Sequence, residues 1–535
     1  MDQDSSPNLE SNNRTQKMNN RIYIPLISCL LAIMVASCGD GMRSHPEGPL
    51  PEYEGKRVNV MAYGAVGDGK TDDSKAIQMA LDSAMVGDTV YLPKGTYLVR
   101  SIRLVPNVHI VSDGVLKQPA ELSAQFAVEQ QHSPAPLFRA HRVSNIYLSV
   151  RAETVNEAIY ASQCSNITIA NSEFTGDSTN QRSFPAVLWY DCNASRVVGT
   201  TISRYGVARQ TPSSYNPGTA IRVLSSNGVT LSGNELHHNG ENGIFIHDSG
   251  NVEIDGNTIH HNGMSGIQVA FNMAEKVSNY RITNNRLEYN AADAVDINNR
   301  AHGRVVDINA LIAGNQSYKN GFVNGESTPD GSGIGTLIGV TGVTLSGNRA
   351  YENNRPALYV EGCGDITVNR NVTDGAFELV GQWDRIRMDG NAFHTLRLLA
   401  NANGKLLEIR KGAVNRMMLP NGIRIDSLRI MENDIRSGPI NVNMEGFFEF
   451  DGNRLISGHE LGALLLVRAT GALLRGNHIC NAKNAAITVR ETVNDVRVDS
   501  NFVVSGGKWM EDFQRADVEK NKNTVEEHVE TKERP

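Results

Sequence analysis

Short runs in which apolar and polar residues alternate recur along most of the chain, as in Gly243-Ile-Phe-Ile-His247, Gly266-Ile-Gln-Val-Ala270 and Ala294-Val-Asp-Ile-Asn298. A period of two puts successive side chains on opposite faces, so each run reads as a strand with one face toward a core. A second strand follows the first, as in Asn251-Val-Glu-Ile254 and Gly342-Val-Thr-Leu345. An asparagine also returns just ahead of an apolar position, at Asn234, Asn257, Asn285, Asn315, Asn348, Asn371, Asn391, Asn453, Asn477 and Asn501. The gaps are 23, 28, 30, 33, 23, 20, 62, 24 and 24 residues, and Asn433 divides the long one. A base period of 20 to 24 residues is too short for a propeller blade, and it lacks the helical pattern of ankyrin or tetratricopeptide repeats. It fits one coil of a β-solenoid. In such a coil a turn asparagine tolerates left-handed backbone, and its amide can bond the copies above and below. The asparagines are therefore expected to form a structural ladder. The His-His-Asn-Gly copies at His237 and His260 fall in the same turn of adjacent coils and read as exposed turn histidines rather than a metal site.

Near the N-terminus the period changes. Thr71 suits a helix N-cap, Asp72 and Asp73 favour a helix N-terminus, and Ala76, Ile77, Ala80, Leu81 and Ala84 line one helical face. A strand Thr89-Val-Tyr-Leu92, a turn Pro93-Lys-Gly95 and a strand Thr96-Tyr-Leu-Val99 follow. A helix here would cover the open first coil, as solenoid ends require. Tyr63-Gly-Ala-Val-Gly-Asp-Gly69, Thr71-Asp-Asp73 and Leu92-Pro-Lys-Gly95 resemble the opening of the pectate lyase, rhamnogalacturonase and epimerase superfamily. With the coils, the resemblance covers roughly residues 57 to 507. It implies an all-β fold: a single-stranded right-handed parallel β-helix, a pectin lyase-like solenoid with an N-terminal capping helix. The motif is specific for the fold and nearly silent on chemistry, so Asp72 and Asp73 are expected as cap residues and not as a catalytic pair.

Composition agrees with short strands and frequent turns, with 49 Gly, 6% aromatic and 40% hydrophobic residues. A net charge of -7 with scattered Lys and Arg recommends no nucleic-acid partner. After the leader, no stretch reaches 18 apolar residues, the length of a membrane-spanning helix. Residues 1–37 read as a signal peptide, with a basic start at Met18-Asn-Asn-Arg21 and an apolar run from Ile22 to Met34. Val35-Ala36-Ser37-Cys38 resembles a bacterial lipobox. The resemblance implies acylation of Cys38 and a lipid anchor on the bacterial envelope, and Gly39 leans toward outer-membrane sorting. The expected layout is a linker at 38–56, a β-helix at 57–508 with a cap region at 57–105, and a charged tail at 509–535. A monomer is expected. Cys164, Cys192, Cys363 and Cys480 lack metal-ligand spacing, but Cys164 and Cys192 hold equivalent places in consecutive coils, close enough to stack or to bond.

Function in a solenoid sits where coils carry extra loops. From the asparagine to the next first strand, Asn234 to Gly243, Asn257 to Gly266 and Asn285 to Ala294 each take nine residues. Thr200 lies 20 residues before Ala220, and Asn315 lies 18 before Gly333. The loops at 203–219 and 317–332 thus flank four coils on one side, and the lengthened connections after Gly266 and Ala294 build the opposite wall. If Ile221, Ile244, Ile267 and Val295 point inward, then Arg222, Phe245, Gln268 and Asp296 point out, with Leu224, His247, Ala270 and Asn298 beside them. Arg222, His247, Gln268, Asp296 and Asn298 form the expected site. Tyr190, Tyr205, Arg209, Tyr215 and His302 are candidates to lean in, and Phe245 to stack on a sugar face.

The expected partner is a polysaccharide, first of all one containing uronates. For β-elimination Arg222 would neutralise the carboxylate, with His247 and Tyr205 as base and acid in either order. Hydrolysis would use Asp248 and Asp296, about 10 Å apart over two coils. Ca2+ on Asp248, Asp296 and Asn298 would suit a lyase or a scaffold. Alginate epimerases of the superfamily carry Tyr-Gly-Phe-Asp-Pro-His where this chain has Tyr205-Gly-Val-Ala-Arg-Gln210, which speaks against a standard epimerase. The polygalacturonase signature is absent apart from Ala301-His-Gly303. Glycan binding without turnover is the alternative outside enzymes.

Overall fold

The computed structural model describes residues 55–127, 132–272, 278–299, 304–481, 483–512 and 518–527. Among these, 48 strands join one hydrogen-bonded set, and a two-stranded hairpin stands apart. One coil consists of Ile244–His247, Gly250–Asp255 and Thr258–His260. Each pairs in parallel with its counterpart one coil on, Ile267–Phe271, Tyr280–Thr283 and Arg286–Glu288. The architecture is therefore the expected parallel β-helix, with three strands per coil. The third strand has only three residues, too few for alternation to reveal.

The inward residues stack coil on coil. Ile244, Ile246, Val252, Ile254 and Ile259 are buried in the core, and so are their successors Ile267, Val269, Tyr280, Ile282 and Leu287. The asparagine ladder runs beside them. Each Nδ2 donates to the Oδ1 of the next copy at 2.9–3.0 Å from Asn234 through Asn257, Asn285, Asn315, Asn348 and Asn371 to Asn391. Gly412 fills the rung between Asn391 and Asn433, with its backbone N donating to Asn433 Oδ1 at 2.9 Å. A second ladder joins Asn239, Asn262, Asn290, Asn320 and Asn353. The asparagines of the two His-His-Asn-Gly copies are thus buried rungs, with their histidines outside.

At the N-terminal end the helix Ser74–Ser83 buries Ala76, Ile77, Ala80 and Leu81 as expected. Its N-cap is Asp73 and not Thr71, which ends in the strand Asp68–Asp72. The Asp73 carboxylate points away from the helix and accepts from the backbone N of Val66 at 2.6 Å and of Gly67 at 3.1 Å, pinning the glycine-rich loop. Asp72 accepts from Ser74 and Arg100. Both aspartates are structural.

The expected tail at 509–535 is corrected over part of its length. Met510–Asp512, Val518–Asn521 and Thr524–Glu527 continue the parallel pairing beyond residue 508. Asn523 supplies the reason, because it extends the ladder by accepting from Asn501 at 3.0 Å. Cys164 and Cys192 are free, buried thiols that stack in the column taken by Ser226 and Ser249 in later coils. The signal peptide, Cys38 and nearly all of the linker lie outside the described residues. Among the described residues, no helix is long and apolar enough to cross a membrane.

Candidate functional site

Strand register sets the outer floor. Arg222, Phe245, Gln268, Asp296 and Thr336 lie in one column across successive coils, and Leu224, His247, Ala270, Asn298 and Ile338 in the next. The inward neighbours belong to the main core, whereas Leu188, Leu224, Phe245 and Ala270 form a separate apolar cluster with Tyr160. The expected alternation is observed at each of these positions.

Chemistry on the floor is organised by pairs. Arg222 is 3% exposed, and its NH2 nitrogen donates to Glu241 Oε2 at 2.7 Å. Thr219 Oγ1 donates to the same oxygen at 2.5 Å. The guanidinium lies 5.0 Å from the ring of Phe245 and 5.4 Å from that of Phe126. One coil on, Asn242 Nδ2 donates to Gln268 Oε1 at 3.1 Å, and Gln268 Nε2 donates to Asp296 Oδ2 at 2.8 Å. On the other edge, His247 Nδ1 is 3.4 Å from Asp248 Oδ2, and Asp248 Oδ1 accepts from Asn272 N at 2.7 Å. Three carboxylates, Glu241, Asp296 and Asp248, therefore stand before, on and after the floor strands.

Several expected site residues take other roles. Tyr205 is a core residue, 1% exposed, whose hydroxyl bonds Thr154 Oγ1 at 2.7 Å and whose backbone N donates to Asn239 Oδ1 at 3.1 Å. It occupies the start of the second asparagine column, which points inward, and burial pushes its hydroxyl far above the ordinary tyrosine range. It is no acid or base for a bound sugar. Arg209 is buried and donates to the carbonyls of Thr211, Pro212 and Gly263, so it fastens its own loop rather than a ligand. Tyr215 lies 4.3 Å from that guanidinium and is half exposed. Tyr190 stands in the second floor column beside Leu224, exposed, and Asn298 is half-buried in its strand. Phe245 is 9% exposed and packed, which leaves little of its face for stacking. The expected Ca2+ set is not assembled, since Asp248 is tied to Asn272 and His247 while Asp296 is tied to Gln268. Among the described residues no three His, Cys, Asp or Glu side chains converge on one point. His302 lies outside the described residues, as do 273–277 and 300–303 of the second wall.

Glu241, Thr219 and Asn242 were missed from the sequence, as was an arm described at residues 118–127 and 132–137. Phe126 of this arm packs edge-on against Phe184 at 5.4 Å, and His132 stacks on Tyr160 at 4.0 Å. Arg182 and Asn180 bond the carbonyls of Phe126 and Ala124. The arm covers the first floor column beside Arg222. The wall loops also meet, because Asn324 Nδ2 donates to Gln210 O at 3.0 Å.

Residues 57–245 match the family model described as "Rhamnogalacturonase A/epimerase, pectate lyase-like". "Probable rhamnogalacturonase C" of Aspergillus niger is 41% identical over 71 residues, 12% of this chain and 16% of that protein. "Plasmin and fibronectin-binding protein A" of Streptococcus pneumoniae is 52% identical over 54 residues, 10% of this chain and 8% of that protein. The chain thus matches less than a fifth of either relative. Among solved structures, the polygalacturonase from Erwinia carotovora has a TM-score of 0.42 at 12% identity, over 66% of this chain and 96% of that one.

Proposed function

We propose that this chain, whose residues 57–245 match the pectate lyase-like model of the rhamnogalacturonase and epimerase family, cleaves a polysaccharide on its outer floor by hydrolysis. The observation that carries the choice is that Arg222 is committed to Glu241 and Tyr205 to the core. An elimination needs a free cation for the uronate and an acid beside the base, and the residues expected for those two roles are engaged elsewhere. Hydrolysis needs two carboxyl groups, and the floor offers them. Glu241 and Asp296 belong to coils two apart, an axial offset of roughly 10 Å by strand spacing before side-chain reach is counted, close to the ~6.5–9.5 Å between the carboxyl groups of inverting enzymes. Arg222 and Thr219 both hold Glu241 Oε2. Glu241 Oε1 is then the oxygen that accepts a proton from the attacking water, while Asp296 protonates the leaving oxygen. Gln268 holds Asp296 in place through the Asn242 chain.

Glu241→Gln and Asp296→Asn should each lower kcat by about 10²–10⁴-fold with circular dichroism unchanged. Full activity in either variant would sink the assignment. A second reading, elimination with His247 as base, is favoured by the His247–Asp248 contact. New reducing ends without ultraviolet absorbance from an unsaturated sugar support hydrolysis, and absorbance rising in step with them supports elimination. Binding of glycan with neither product would leave the chain a lectin-like surface protein. The lipobox extends the proposal to an envelope protein anchored through Cys38; labelled palmitate should enter the full chain and not Cys38→Ala.

A further inference from the structure

On the face that follows the second strand of each coil, the dipeptides His237-His238 and His260-His261 lie one above the other. We propose that each dipeptide is a chelating site for a divalent transition-metal ion, Cu2+ or Ni2+ in preference to Zn2+, independent of any glycan chemistry on the floor.

Register and backbone build the array. His237 pairs with His260 across the parallel strands. His238 and His261 take left-handed backbone, φ 56° and 55°, at the corner that follows. The corner turns each second ring across the first, at 89° in one coil and 87° in the next. Coil stacking then repeats the arrangement: His237 lies over His260 with centroids 5.0 Å apart and planes 3° apart, and His238 over His261 at 5.0 Å and 0°. Within each coil the two Nδ1 atoms approach to 2.8 Å and 2.9 Å.

That separation selects a coordination geometry. Imidazole nitrogens bind divalent metals at about 2.0–2.1 Å, so two of them at a right angle stand about 2.8–3.0 Å apart, whereas tetrahedral angles open the edge to about 3.3–3.4 Å. Each pair matches the right-angled edge, which belongs to square-planar and octahedral ions and not to tetrahedral zinc. One ion cannot serve all four rings. The centre of a rectangle with these edges is about 2.9 Å from its corners, beyond bonding distance. Two ions follow, each with two imidazoles and water in its remaining positions.

The surroundings suit ligands. The Glu235 carboxylate lies 3.6 Å from His260 Nε2, where it favours the ring proton on that far nitrogen and leaves Nδ1 as the ligand atom. Tyr289 stacks beneath His261 at 4.9 Å and closes the array. These rings are exposed or half-exposed, and the buried rungs Asn239 and Asn262 hold the turn, so the histidines can be replaced without loss of the fold.

The test uses the full untagged chain and Cu2+ alone, by calorimetric titration and electron paramagnetic resonance. The natural chain should bind two more ions than His238→Asn/His261→Asn, with nitrogen couplings from two imidazoles per ion. The two coppers, about as far apart as the 5.0 Å ring stack, should broaden each other's spectra. His238→Asn alone should lose one ion and the broadening, and keep the circular dichroism of the natural chain. Equal titrations for the natural chain and the double variant would overturn the proposal and leave the pairs as N–H···N hydrogen bonds only. A tight Zn2+ complex with no Cu2+ or Ni2+ preference would overturn the geometric argument.

Discussion

Asn257→Ala removes one rung from the middle of the ladder beneath the candidate site. The native side chain makes four close bonds: Oδ1 accepts from Asn234 N at 3.0 Å and Asn234 Nδ2 at 2.9 Å, and Nδ2 donates to Leu231 O and Asn285 Oδ1 at 2.9 Å each. The losses differ in kind. Asn234 Nδ2 keeps Val197 O, and Asn285 Oδ1 keeps the backbone N of residue 257, so each loses one bond of two. The backbone N–H of Asn234 loses the acceptor it has in the fold, at a site sealed from water. A stranded buried donor costs about 1–3 kcal/mol and each further bond about 0.5–1.5 kcal/mol. With three further bonds lost, the sum is about 2.5–7.5 kcal/mol. Urea denaturation followed by circular dichroism should show a midpoint shift of that size, and amide exchange should quicken first at residue 234. Asn257→Asp should lose a similar amount, since a carboxylate accepts from Asn234 but cannot donate to Leu231. A shift under about 0.5 kcal/mol for Asn257→Ala would refute the claim that the ladder holds the coils together.

Tyr205→Phe should cost about 1 kcal/mol through the lost bond to Thr154 and leave glycan turnover unchanged; a hundredfold fall in kcat with normal stability would restore Tyr205 as an acid or base. Glu157 is buried against Ser133, and burial pushes its carboxyl from 4.5 up to about 7. The folded value exceeds the unfolded one, so this group's stabilisation is complete below pH 4.5 and is lost as pH rises through 7. The loss amounts to about 3 kcal/mol by about pH 8. Glu157→Gln should flatten that part of a urea-midpoint profile, and an equal decline in both proteins would refute the assignment.

Much of the fold was legible because its two determinants are periodic. Alternation fixed which of Ile244 and Phe245, or of Val295 and Asp296, faces the core, and a slip of one residue would have exchanged the faces. The asparagine spacing marked the coils even where inserted loops lengthened them. What escaped was what carries no period: the three-residue strands, the rung at Gly412, and the coil after residue 508, whose strands expose charged residues around Val518 and Val525. The second ladder was present in the histidine motif, but its histidines drew the chemical reading while its asparagine carried the structural one.

The site was legible by column and not by pairing. Floor residues could be assigned outward from alternation alone, yet what Arg222 does depends on Glu241, which sits in one of the connections of nine residues that served as the standard of regularity. Comparison of loop lengths looks past any residue in a loop of ordinary length. The arm described at 118–127 and 132–137 lies upstream of Thr200, before the regular spacing begins, so nothing periodic marks its cover over the first floor column. Tyr205 failed for the opposite reason. It lies at the start of a long loop, but it is still in register with Asn239 and points inward before the loop departs. In a coil, therefore, the direction of a side chain is set by its distance from the last paired residue, not by the length of the loop that follows. Arg204, Tyr205 and Gly206 belong to the corner, and the loop proper begins after them. The sequence length free to shape a ligand wall is correspondingly shorter than the gap suggests. That shortening moves the chemistry from the long loops to the floor strands and the short connections beside them, where Glu241, Asp248 and Asp296 already stand.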